Sequence, residues 1–298
     1  MVAGRWMVAL DESDAAERVI HWARRFPHPK DTVITLVHVL GQLEIPDAIG
    51  AKGQHLLLQQ QAAVAEALLD RARRLLEEVF ASVEVLLQEG APSQELLRLI
   101  REHRPELVIS GTGGVSRTTG VVLGSVSHRL LSEAPCSVLL VPEKVPRRAG
   151  LRVMLATDGS SDAQRAAGVL ATLPDVRDII IVSVVRPLGA EKLVLEQMHD
   201  PESRRMQAQF LRGRRAAAHQ AVQDAARLVQ RQSANVETRL LVGHPAEAIA
   251  RAARREGADL LVLGSRGLTG VKAVALGSVS RAVAQLAGCP VLIVKREA

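Results

Sequence analysis

Two stretches of the chain place glycine, serine and a nearby carboxylate in a spacing suited to phosphate chemistry. Residues 264–281 read GSRGLTGVKAVALGSVSR, and residues 111–129 read GTGGVSRTTGVVLGSVSHR. Gly264, Gly267, Gly277 and Ser278 form a Gly-x2-Gly-x9-Gly-Ser frame, and Gly111, Gly114, Gly124 and Ser125 repeat it. Glycine tolerates positive φ and lets a ligand come close to the backbone. A Gly-Ser pair that opens a helix leaves N–H groups unpaired at the positive end of the helix dipole, an arrangement that suits an anion. Ser278 and Ser280 flank Val279, and Ser125 and Ser127 flank Val126, so hydroxyl donors are expected at the same place. Arg266 adds a guanidinium in the second stretch, where the first has Gly113.

Each stretch has a carboxylate partner. Asp158 in LATDGS and Asp11 in VALDES close the first strand-like run of their halves. In an open parallel sheet, ligands bind beyond the carboxyl ends of strands where the strand order reverses. If the first and fourth strands are neighbours there, each Asp shares a crevice with its glycine frame. A carboxylate accepts hydrogen bonds from sugar hydroxyls, or assists a metal; directly against a phosphate it needs an intervening cation. The first copy has Glu12 where the second has Gly159, which brings a further negative charge close to the expected site. Other chemistries lack their residues. There is no Gly-x4-Gly-Lys-Ser/Thr loop, no Gly-x-Ser-x-Gly elbow and no complete dinucleotide fingerprint. His38 has Ser183 as its counterpart, so it reads as a strand-end histidine with local partners rather than a shared ligand.

These residues must be held by elements that occur twice. Gly90–Val141 aligns without a gap on Gly243–Val294 at an offset of 153 residues, and MVALDESDAAERV (7–19) aligns on MLATDGSSDAQRA (154–166). A period this long makes each copy a domain, not a solenoid unit. Short β-branched runs alternate with longer helical patterns, the mark of βαβ units and a parallel sheet. In the first copy strands are expected at Arg5–Leu10, Thr32–Val39, Ser82–Leu87, Leu107–Ser110 and Ser137–Val141. Helices are expected at Ser13–Arg25, about Gln54–Phe80, Ser93–His103 and Ser125–Ser132. The second copy repeats the order, with strands at Arg152–Thr157, Asp178–Val185, Asn235–Val242, Leu260–Leu263 and Val291–Val294. Its helices are expected at Ser160–Thr172, about Pro201–Gln232, Ala246–Glu256 and Ser278–Leu286. The expected domains are residues 1–143 and 150–298, joined by an exposed linker at 144–149. Residues 40–53 and 186–200 carry the least pattern and read as mobile loops.

Composition narrows the function classes. Aromatics are only 2% and Tyr is absent, so the cores are expected to be aliphatic. The two cysteines, Cys136 and Cys289, occupy equivalent positions before apolar runs and read as small buried side chains, not as a disulfide or a metal site. The net charge of +6 comes mostly from Arg scattered among acidic residues on helical segments. With almost no aromatic residues to stack on bases, solvated helix faces explain the charge better than nucleic-acid binding. No basic-then-apolar leader and no run long enough for a membrane span is present, so a cytoplasmic, non-membrane protein is expected.

The glycine frame, LGSVS, the DGS-type first loop, and APC or GCP before an apolar last strand together resemble the universal stress protein family. The resemblance covers both halves. It implies an α/β fold: two tandem five-stranded parallel-sheet domains of order 3-2-1-4-5, adenine nucleotide alpha hydrolase-like, packed as a pseudo-twofold dimer within one chain. It further implies the family's ATP-binding branch. Asp11 and Asp158 then belong near the ribose, and Val39 and Val184, ending the second strands, near adenine. Gly111, Gly114, Gly124, Ser125, Val126 and Ser127 belong near the phosphates of the first site. Gly264, Arg266, Gly267, Gly277, Ser278, Val279 and Ser280 belong near those of the second. The implied activity is a nucleotide-dependent stress-response sensor or regulator that binds ATP, with or without Mg²⁺, and acts on an unidentified protein partner. No catalytic residue or resident metal is implied. A slow ATP hydrolase or phosphotransferase is the alternative. Glu12 and Gly113 make the first half the expected weaker site.

Overall fold

The structure is a computed structural model. It describes residues 4–13, 15–43, 45–46, 49–113, 123–143, 151–176, 178–188, 201–230, 235–268 and 276–296. The chain divides into two compact units. One comprises Met1–Val145, Leu173–Asp175 and Lys295–Ala298, and the other Pro146–Thr172 and Val176–Val294. The expected linker at 144–149 lies outside the described residues.

The first unit runs β1 (Arg5–Leu10), α1 (Ala15–Arg25), β2 (Val33–Leu40), α2 (Gly50–Glu77), β3 (Ser82–Glu89), α3 (Pro92–His103), β4 (Leu107–Gly111), α4 (Ser125–Glu133) and β5 (Ser137–Val141). Its strands lie in the order β3-β2-β1-β4-β5, and the pairings of β1 with β2 and with β4 are parallel. The order therefore reverses between β1 and β4, where the sequence placed the crevice. Short apolar strands form because helices cover both faces: β4 and β5 are almost wholly buried. In α1 the buried residues Ala15, Ala16, Val19, Ile20, Trp22 and Ala23 fall on one stripe of helical period. Pro92 starts α3 at a position where its missing N–H costs nothing.

The core of this unit is mostly aliphatic, as expected, with an aromatic cluster as the exception. Trp6, Trp22, Phe26 and Phe80 are all buried. Trp6 packs edge-on against Phe26 and Phe80, with ring centroids 5.4 and 5.8 Å apart. Three large rings gathered around Trp6 fill volume that several aliphatic side chains would otherwise fill.

The second unit runs β6 (Arg152–Ala156), α5 (Ser161–Thr172), β7 (Asp178–Val185), α6 (Pro201–Val229), β8 (Asn235–Val242), α7 (Pro245–Glu256), β9 (Leu260–Gly264), α8 (Ser278–Leu286) and β10 (Val291–Val294). Its strands lie in the order β10-β9-β6-β7-β8, which is the same 3-2-1-4-5 arrangement counted within the unit. Its core is aliphatic and rich in alanine, with Met154, Ala166, Ala167, Leu170, Ile179 and Ile181 among its least exposed members. α2 begins at Gly50, inside the stretch expected to be a loop, because a helix with few apolar residues in its first turns leaves no periodic signal there. The rest of the expected loops is only partly described: 189–200 lies outside the described residues.

Candidate functional site

In the second unit β6 and β9 pair in parallel, with Ala156 opposite Leu263, so their carboxyl ends are level. Asp158 follows β6 and its carboxylate accepts two backbone N–H groups, from Ser160 at 3.0 Å and Leu268 at 3.0 Å. The loop bends at Gly159, whose φ is +82°, a region open to glycine at no steric cost. Ser160 then caps α5 by accepting from the Ala163 N–H at 3.3 Å, while its own hydroxyl donates to the Arg266 carbonyl at 3.2 Å.

The Gly-Ser end of the frame is seated on the same strand ends. Gly277 N–H donates to the Ser265 carbonyl at 2.7 Å, and Ser280 Oγ donates to the Gly264 carbonyl at 2.8 Å. Among the described residues no side chain caps the start of α8. The N–H groups of its first turn have no partner within the helix, and its start is bonded to the end of β9, the strand that pairs with β6 ahead of Asp158.

The first unit builds the same seat. Gly124 N–H donates to the Thr112 carbonyl at 2.8 Å, Ser127 Oγ donates to the Gly111 carbonyl at 2.7 Å, and among the described residues no side chain caps α4. Asp11 accepts from the Ser13 N–H at 3.2 Å. Val39 and Val184 are half-buried on the strands next to Asp11 and Asp158. They stand one residue beyond His38 and Ser183, as the aspartates stand one beyond Leu10 and Thr157. Gly114 lies outside the described residues, as does the whole of 269–275.

Three expectations need correction. Ser127 and Ser280 do not offer hydroxyl protons to a ligand: each hydroxyl has one proton, and both are given to strand-end carbonyls. The absent side chains of the glycines make room for protein. A Cβ on Gly264 would strike backbone atoms of Asp162 and Ala163, one on Gly267 would come 2.5 Å from Asp158 Oδ2, and one on Gly277 would come 3.3 Å from the Ser265 carbonyl oxygen. Glu12 turns toward His38, with Oε1 3.6 Å from Nε2, and the His38 Nδ1 faces the Leu10 carbonyl at 3.0 Å. The local partners expected for His38 are therefore present. Glu12 lacks the positive φ of its counterpart Gly159, so the two first loops follow different paths.

One functional candidate went unseen in the sequence. Asp162, on the first turn of α5, is 2% exposed. Its carboxylate accepts from Ser265 Oγ at 2.8 Å, Arg266 Nε at 3.1 Å and Arg165 Nη1 at 2.9 Å. Burial pushes this carboxyl up, but the three donors outweigh burial and hold it below the usual carboxylate range. The first unit has Ala15 and Gly113 at the positions of Asp162 and Arg266. The signal lay in that paired difference between the copies. Among the described residues, no group of three or more His, Cys, Asp or Glu is arranged to hold a metal ion. None of the described helices is long and apolar enough to cross a membrane.

Comparison with known proteins agrees with the duplicated design. A model of the universal stress protein family matches residues 4–142 and again residues 151–295. A universal stress protein of Mycobacterium tuberculosis strain H37Rv is 27% identical over 301 residues, covering 97% of this chain and 95% of its own length. One from Thermus aquaticus is 36% identical over 152 residues, which is 48% of this chain and 97% of that protein. The crystal structure of a universal stress protein from Archaeoglobus fulgidus superposes with a TM-score of 0.65 at 19% identity and covers 98% of both chains, a likeness of fold.

Proposed function

The chain belongs to the universal stress protein family in both halves, and from that premise we propose that each half binds ATP and that nucleotide occupancy sets its activity as a stress-response regulator. The observation that carries the reading is the seat built twice. In each half a helix start that no described side chain caps is bonded to a strand end, and a carboxylate follows the end of the neighbouring strand.

The residues present suit the parts of an adenine nucleotide. The first-turn N–H groups of Ser125 and Val126, and of Ser278 and Val279, would meet phosphate oxygens with the helix dipole behind them. Asp158 retains lone-pair sites beyond the two used by backbone N–H groups, so it can also accept from ribose hydroxyls. Half-buried Val184 and Val39 offer apolar contact to a base. Asp11 and Asp158 act as hydrogen-bond acceptors in this scheme, which makes it a binding site without a turnover step.

Titration of the whole chain with ATP, with and without Mg²⁺, tests the proposal, alongside Gly277→Asp. An aspartate at this helix start would cap α8 and place a negative charge where the phosphate belongs. The expected result is ATP uptake by the wild type and loss of one site in the variant, with helix content unchanged. Absence of ATP uptake, or uptake unaffected by Gly277→Asp, would refute the reading. Product analysis of the same samples reports any hydrolysis.

A further inference from the structure

Arg266 is restrained at two points. Its carbonyl accepts from Ser160, and its Nε donates to the buried Asp162. The Nε bond is the only hydrogen bond its guanidinium makes to the described residues, and the side chain remains 24% exposed. Its terminal nitrogens are therefore free of described protein partners. The start of α8 is immediately adjacent, since a Cβ on Gly277 would lie 3.4 Å from the Arg266 Cα.

This arrangement is unusual for a flexible side chain. An exposed Arg normally loses rotamer freedom when it grips an anion. Here Asp162 has already fixed the inner edge of the fork, and burial of Asp162 excludes the water that would weaken the grip. Asp162 is in turn held by Ser265 and Arg165. The absence of a side chain at Gly264 lets the first turn of α5 approach β9 closely enough to form the cluster.

We infer that Asp162 is a positioning residue that holds Arg266 ready for a nucleotide phosphate, so that the second half discriminates phosphorylated from unphosphorylated nucleosides more strongly than the first. The inference rests on the nucleotide reading above. The first half has Ala15 and Gly113 in place of the positioning carboxylate and the guanidinium, and among its described residues the phosphate contacts come from α4. A charge-assisted hydrogen bond between Arg and phosphate supports an effect of roughly tenfold or more.

The test is calorimetric titration of the whole chain with ATP and with adenosine, for the wild type, Asp162→Ala, Asp162→Asn, Arg266→Ala and the Asp162→Ala/Arg266→Ala double variant. Circular dichroism checks that each is folded. Asp162→Asn retains the shape of the buried group if the alanine variant does not fold. The expected result is a loss of about tenfold in ATP affinity at one of two sites for Asp162→Ala, and a smaller loss for Asp162→Asn. Adenosine affinity should stay within about twofold, and the double variant should bind ATP no worse than Arg266→Ala, because removing the positioner matters only while Arg266 is present. Parallel loss of ATP and adenosine, additive losses in the double variant, or an unchanged ATP affinity in folded Asp162→Ala and Asp162→Asn would overturn the inference while leaving the nucleotide reading intact. A wild-type chain that takes up neither ATP nor adenosine would overturn both.

Discussion

Gly264 and Gly111 occupy the same place in the two glycine frames, yet the structure predicts very unequal responses to Ala. A Cβ on Gly264 would lie 2.6 Å from the Asp162 carbonyl oxygen and 2.7 Å from the Ala163 nitrogen, and closer still to the Asp162 carbonyl carbon. All three are backbone atoms in the first turn of α5, so no rotamer change relieves the overlap and the helix start must move. Overpacking of this kind costs about 1–3 kcal/mol, and rigid backbone on the receiving side puts Gly264→Ala near about 3 kcal/mol. At roughly 2–4 °C per kcal/mol for a domain near this size, the unfolding midpoint should fall by about 6–12 °C. A Cβ on Gly111 would meet the Ala15 Cβ at 3.4 Å, an ordinary contact with a methyl group. Gly111→Ala also restricts the unfolded chain, which favours folding by about 0.4–1 kcal/mol, so its net change should stay within about 1 kcal/mol. The two units can be read separately in one denaturation series. Both tryptophans, Trp6 and Trp22, are buried in the first unit, so fluorescence follows that unit and far-UV circular dichroism follows both. Gly264→Ala as stable as the wild type, or Gly111→Ala destabilised to the same degree, would refute the packing account of the frame.

Further outcomes follow from the same geometry. Gly267→Val should reduce ATP affinity at one site by about tenfold or more, because its Cβ would come 2.5 Å from Asp158 Oδ2 and displace that carboxylate; calorimetry of the folded variant checks it. The wild type should show two classes of ATP site differing by at least about tenfold, and a single class of equal sites would contradict the asymmetry between Arg266 and Gly113. Burial pushes the thiols of Cys136 and Cys289 up to about 11 and about 12. Iodoacetamide at pH 8 should therefore leave both unlabelled in the folded chain and label both in urea, as read by mass spectrometry. Asp162 titrates below the usual range in the folded state, so its contribution to stability is present above the unfolded value of about 3.9 and is lost as pH falls through the lower folded value. The stability gap between the wild type and Asp162→Asn should thus be open at pH 7 and narrow below about pH 4 in urea titrations.

The parts of the fold legible in the sequence were those set by local pattern. β4 and β9 read as strands because they are short apolar runs ended by glycine, and α3 and α7 read as helices because Pro92 and Pro245 open amphipathic stretches. The neighbouring placement of the first and fourth strands came from the resemblance, and the parallel ladders bear it out. What remained hidden depends on contacts between distant residues. Asp162 is an unremarkable acid in DGSSD until Ser265 and Arg266, more than a hundred positions away, close on it. Composition could not show that Trp6, Phe26 and Phe80 would gather in one cluster. Nor could the LGSVS motif show where its hydroxyls point: the serine that opens the helix and the one two positions later look alike, yet the fold gives the proton of the later one to a strand carbonyl.

The differences between the halves also explain one another. A buried carboxylate without donors is costly, so Asp162 is tolerable only beside Ser265, Arg165 and Arg266. Where the first half has Gly113, the matching Ala15 removes a charge that would have lost one of its partners. Ala15 leaves space around Gly111, and the tight approach that glycine permits at Gly264 is not repeated. Glu12, without the positive φ of Gly159, takes the loop along another path and sets its carboxylate against His38. The frame of three glycines and a serine therefore specifies the seat, in which a helix start is fastened to a strand end beside an aspartate. The residues between and around the glycines differ between the halves, with Asp162 and Arg266 standing where the first half has Ala15 and Gly113.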